Sequence, residues 1–81
     1  MRIEILYFAA AREAAGVPTE LLDVAEGATV EVLRAALDAR HPGLVPVSRT
    51  ARFAVGERFA PASHRLEPGD VVAVIPPVSG G

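Results

Sequence analysis

Glu67-Pro68-Gly69-Asp70-Val71-Val72-Ala73-Val74-Ile75-Pro76-Pro77-Val78-Ser79-Gly80-Gly81 closes the sequence with a turn, a strand and a tail. Pro-Gly between two acids is a strong turn signal, since proline presets one backbone angle and glycine accepts a positive one. Residues 71–75 are then five apolar residues, four of them β-branched, and so predict a strand. A half-buried strand alternates polar and apolar side chains, whereas this run is apolar on both faces, which predicts a place in the middle of a sheet. Val72 and Val74 are assigned inward, leaving Val71, Ala73 and Ile75 outward.

Working outward from that strand, residues 2–8 form a second one with the same two-residue period. Ile3, Ile5 and Tyr7 share the face opposite Arg2 and Glu4, so they point to the core and Leu6 and Phe8 point away from it. Residues 9–15 favour a helical turn, stopped by Gly16-Val17-Pro18, and residues 19–24 make a further strand. Thr29 is an N-cap before Val30, Leu33, Ala36 and Leu37, whose spacing marks the buried stripe of a helix over residues 30–40. Glu31 in its first turn and Arg40 and His41 at its end suit the helix dipole, and Pro42-Gly43 stops it. Residues 44–51 contain Pro46 and show little period. Residues 52–55 read as a short strand, and Gly56-Glu57 as a turn before Arg58-Phe59. The order predicts an α+β domain with a mixed sheet of about five strands and one main helix on one face. One helix covers one face, so the other requires a partner.

Eighty-one residues support a single domain, because a chain of this length buries only about 60% of its unfolded surface. The apolar fraction of 51% is enough for a core and rules out a disordered chain. Seven acids and four arginines precede residue 41, and three acids and four arginines follow it, which leaves no basic run for nucleic acid. Lysine, asparagine, glutamine, tryptophan and cysteine are absent. Without cysteine there is no disulfide, thiolate metal site or cysteine nucleophile. The opening residues alternate charged and apolar side chains, unlike a secretory signal, and no run is long enough to span a membrane. A cytoplasmic location with no membrane or nucleic-acid partner is the expectation.

The domain is expected to occupy residues 1–75 and a projecting tail residues 76–81. Pro76 and Pro77 lack N–H donors, so they end the ladder and favour an extended exit. Gly80 and Gly81 then remove every side chain near the terminal carboxylate. Such an end fits a narrow channel and lets another protein's active site approach the terminal carbonyl from any side. The carboxylate is therefore the candidate functional group.

The whole string from Gly69 to Gly81 resembles the C-terminus of the small subunit of molybdopterin synthase, a family of ubiquitin-like sulfur carriers. The resemblance extends to Ile5-Leu6-Tyr7-Phe8-Ala9 with Arg12-Glu13 and Gly16, the helix after Thr29, and Ala54-Val55 before a turn. Two positions depart from it: Gly56 stands where asparagine is frequent, and Ile75 where an aromatic residue is frequent. The resemblance implies the β-grasp fold and a Gly81 carboxylate adenylated by an ATP-dependent activating enzyme, then converted to a thiocarboxylate with sulfur from a donor protein. It implies donation of that sulfur to cyclic pyranopterin monophosphate inside the large synthase subunit. In that scheme Gly81 carries the sulfur and Gly80 is its flexible neighbour. Pro76, Pro77, Val78 and Ser79 form the threaded tail, and Leu6, Phe8 and Ile75 contact the partner. The chain binds no cofactor of its own and is not catalytic alone; the ATP step belongs to another protein, since no phosphate-binding loop occurs here. The rival readings are a carrier for thiamin, cysteine or tRNA thiolation, and a ubiquitin-like interaction module or protein modifier.

Other residues carry less. His41 and His64 have no ligand-spaced acids beside them in sequence, so no metal site is assigned. Glu67 and Asp70 flank a turn that accounts for both. Arg49, Arg52, Arg58 and Arg65 form either a basic area open to an acidic partner or a phosphate, or solvated surface charge.

Overall fold

Strict alternation builds the first strand, β1 (Arg2–Tyr7), with Ile3, Ile5 and Tyr7 buried and Arg2 and Glu4 exposed. The computed structural model describes residues 1–77. Phe8 lies one residue past β1 and stays extended, and its N–H donates to the Val74 carbonyl at 3.2 Å before the chain turns into helix α1 (Ala9–Ala15). Gly16 ends α1 in the left-handed conformation (φ 79°), returning its N–H to the Arg12 carbonyl. Strand β2 (Thr19–Asp23) follows, then the main helix α2 (Val30–Arg40). Thr29 caps α2 as its sequence predicts: Val32 N–H donates to Thr29 Oγ1 at 3.3 Å.

Strands β3 (Arg52–Val55), β4 (Arg58–Ala60) and β5 (Val71–Ile75) complete a five-stranded sheet in the order β2-β1-β5-β3-β4. β5 lies in its middle, parallel to β1 and antiparallel to β3, and the outer pairs are antiparallel. The central position explains why β5 is apolar on both faces. Val72 and Val74 are fully buried on the helix side, where they meet Ile3, Ile5, Phe53, Leu33 and Leu37. The mixed sheet with its main helix on one face is the β-grasp fold.

Residues 44–51 are more ordered than their weak periodicity predicts. A 3-10 turn (Pro42–Leu44) runs into a short helix, α3 (Val45–Ser48), which buries Leu44 and Ser48. Pro46 is compatible with that helix, because proline is disruptive in a helix interior but fits its first turn, where no N–H is needed. The core is accordingly lined by more than one helix: α1 contributes Ala11 and the α2–α3 connection contributes Leu44.

Gly56 (φ 56°) and Glu57 (φ 69°) both have positive φ, and they join β3 to β4 in the two-residue hairpin geometry that suits right-handed strand twist. Asparagine and glycine are the residues that best tolerate this geometry, so Gly56 suits the turn. Asp70 closes the other turn through its side chain, with Glu67 N–H donating to Asp70 Oδ2 at 2.7 Å. That is the backbone role its sequence context implies.

Candidate functional site: the uncovered sheet face

The face of the sheet away from α2 is set by register. One row of cross-strand partners crosses all five strands: Thr19, Leu6, Ala73, Ala54 and Phe59. The two middle members are alanines, so the centre of the row is shallow, while Leu6 and Phe59 rise on its two sides. Phe8 and Ile75 extend the walls toward the end of the sheet where β5 finishes. The result is an open apolar groove of about 600 Å³. Phe8 is 47% and Phe59 54% exposed, an arrangement water disfavours and a partner would relieve.

Leu6, Phe8 and Ile75 are thus brought together as their strand parity predicts. Phe59 and Ala54 were missed, because strands of three and four residues are too short to show a period. The signal was nevertheless present: a two-residue turn at Gly56-Glu57 pairs Ala54 with Phe59 and places both on the face of Ala73.

Arg52 stands opposite Ile75 across β3 and β5, and its guanidinium lies over the Phe59 ring, 3.6 Å from the centroid. Pro76 is buried and Pro77 exposed, so the chain still touches the domain one residue beyond β5. Val78, Ser79, Gly80 and Gly81 lie outside the described residues.

A second cluster gathers at the β2 edge. Tyr7 Oη donates to Glu20 Oε1 at 2.5 Å, His41 Nε2 lies 2.7 Å from the same oxygen, and Arg40 Nε donates to Glu20 Oε2 at 3.1 Å. The Tyr7 and His41 rings meet edge to face, with centroids 5.9 Å apart. Burial alone would raise the Glu20 carboxyl, but the hydrogen bonds from Tyr7, His41 and Arg40 outweigh it and hold the group below its usual value. Burial, and then the bond to Glu20, push the Tyr7 phenol up. His41 therefore does have an acid beside it, one that arrives from 21 residues earlier and is invisible to local spacing. The bonds from Arg40 and His41 to Glu20 tie the end of α2 to β2, and among the described residues no group of three or more potential metal ligands occurs. No helix among them is long and apolar enough to cross a membrane.

A β-grasp domain with an apolar sheet face left uncovered beside its last strand defines a ubiquitin-like protein. More narrowly, the chain belongs to the ThiS family, whose sequence model matches residues 5–81. It is 42% identical over 83 aligned residues, the full length of both chains, to the molybdopterin synthase sulfur carrier subunit of Chlamydomonas reinhardtii. Among solved structures, a candidate molybdopterin converting factor, subunit 1, from Pyrococcus furiosus superposes with a TM-score of 0.88 at 31% identity, covering 96% of this chain and 99% of that one. SAMP1 from Haloferax volcanii, a small archaeal modifier protein, also gives 0.88, at 32% identity over the whole of both chains.

Proposed function

We propose that this protein is the sulfur carrier subunit of molybdopterin synthase, bearing sulfur as a thiocarboxylate on Gly81. The observation that carries the reading is the position of Ile75: it walls the apolar groove and is also the last residue of the strand that leads into the Gly-Gly end. Docking and delivery are then adjacent. Full-length similarity to a subunit of that name supports the pathway.

The chemistry follows from the carboxylate. It is a poor acceptor for a sulfur nucleophile, being negative and lacking a leaving group. Adenylation by a separate ATP-using enzyme, with release of pyrophosphate, supplies AMP as that leaving group. A persulfide on a sulfur donor protein then displaces AMP, and a thiol reductant cleaves the resulting acyl disulfide to leave a C-terminal C(=O)S⁻. In the large synthase subunit this sulfur bonds to cyclic pyranopterin monophosphate, and water then hydrolyses the acyl–sulfur bond, so that the sulfur stays on the pterin and Gly81 returns to a carboxylate. A dithiolene holds two sulfurs, so two loaded carriers serve each product. The domain supplies the docking face and the glycine end supplies reach, in the cytoplasm where these partners would meet it.

Similarity to SAMP1 favours a second reading, attachment of Gly81 to other proteins. Intact mass of the protein isolated from its source cells separates the two. A thiocarboxylate adds about 16 mass units, the difference between sulfur and oxygen at the acyl carbon. Co-purification of a pterin-binding large subunit supports the carrier reading, and ladders of conjugated proteins support the modifier.

A further inference from the structure

A second concavity opens at the β4 edge, between the start of α2, the end of α3 and the segment following β4, with a volume of about 480 Å³. Its charged lining residues are Glu31, Arg34, Arg49 and Arg52. Arg34 is already neutralised, since its Nη2 donates to Glu31 Oε2 at 2.8 Å. Arg49 and Arg52 have no ion pair or side-chain hydrogen bond among the described residues. Arg52 is nonetheless held in place, because its guanidinium lies over the Phe59 ring while its N–H groups have no hydrogen-bond partner among the described residues. A guanidinium fixed in this way loses little entropy when it grips an anion with two parallel hydrogen bonds. The first amides of α2 contribute nothing, being taken by the carbonyls of His64 and Ala62 and by Thr29 Oγ1. Only the two arginines remain to hold an anion.

We propose that this cleft binds a phosphomonoester dianion carried on a small organic group. Two unneutralised positive charges match the two negative charges of a phosphomonoester better than the single charge of a carboxylate. The volume falls within the range of small-molecule sites and exceeds what one phosphate fills. Phe53, Ala60 and Pro61 supply an apolar wall for the organic part. The site is separate from the Gly81 chemistry and does not depend on the carrier reading.

The test is a titration of the full chain, labelled with nitrogen-15, against inorganic phosphate and against adenosine monophosphate at constant ionic strength. Saturable shifts are expected in the amides of residues 49–53 and 59–62 and in the side-chain Nε signals of Arg49 and Arg52. The monophosphate should bind more tightly than inorganic phosphate. Arg49→Gln and Arg52→Gln should each weaken binding about tenfold, the usual consequence of losing a charged hydrogen-bond partner. Phe59→Leu should weaken it while keeping both charges, and Arg65→Gln, outside the cleft, should change nothing. Three results would each overturn the proposal: shifts that never saturate, an equal response at Arg65, or undiminished binding in the Arg49→Gln/Arg52→Gln double variant. Tighter binding of a glutamate-rich peptide than of adenosine monophosphate would also overturn it, by assigning the cleft to an acidic protein.

Discussion

Phe59 stands directly opposite Ala54 in the β3–β4 hairpin, and that pairing turns its ring onto the uncovered face of the sheet instead of into the core. With Phe8 and Ile75 across the shallow alanine floor, it forms the far wall of the groove. Phe8→Asp, Phe59→Asp and Ile75→Asp should therefore weaken association with the large synthase subunit much more than they lower stability. Apolar residues at the centre of an interface commonly contribute more than about 1 kcal/mol each, so a loss of roughly tenfold or more in affinity is expected for every variant. Calorimetric titration beside thermal melts measures both quantities, and unchanged affinity in all three would place the interface elsewhere.

Leu33 is fully buried on α2, whereas Glu31 two residues earlier is exposed. Leu33→Ala should cost about 2–5 kcal/mol, the sum of lost transfer energy and the cavity left behind. Glu31→Ala removes an exposed pair with Arg34 and should cost far less. Urea unfolding of the two variants checks this, and equal effects would contradict the assigned helix face.

The Glu20 cluster gives stability a pH dependence. Glu20 is held below its unfolded value of 4.5, so below neutrality the unfolded chain takes up its proton first. Stability from this group is present above about that value and lost as pH falls through the folded one. Tyr7 acts in the opposite range, keeping its proton in the fold above the ordinary 10.0, so stability falls as pH rises beyond it. Glu20→Gln should flatten the acid limb of a melting-temperature profile between pH 6 and 3 (roughly the window that linkage gives for a lowered carboxyl). Parallel profiles for the variant and the parent chain would refute the assignment.

Position 56 tests the hairpin. Gly56→Asn should stay within about 0.5 kcal/mol of the parent, since asparagine accepts positive φ, while Gly56→Val should cost about 1–3 kcal/mol for a β-branched residue forced there. A shifted β3–β4 register in Gly56→Val would also move Phe59, so its affinity for the large subunit should fall with its stability.

The sequence made the sheet legible where the period was long enough to declare itself. Six residues of β1 and five of β5 assigned Ile3, Ile5, Tyr7, Val72 and Val74 inward, and all five are buried. The stripe of α2 and its Thr29 cap were equally clear, because capping and helix spacing are local properties. Phe59 was hidden because its strand has only three residues, and α3 because four residues with Pro46 in the first turn show no helical period. The tie among Tyr7, Glu20 and His41 joins three separate elements, and no spacing rule reaches across them.

The central claim is that the groove docks and Gly81 reacts, and one measurement separates those two roles. A chain lacking Gly81 is compared with the parent in a reconstituted synthase containing the activating enzyme, a sulfur donor and the large subunit, with dithiolene formation and subunit affinity both recorded. The account predicts the parent melting temperature, nearly parent affinity for the large subunit and no sulfur transfer. Full transfer from the shortened chain would contradict it.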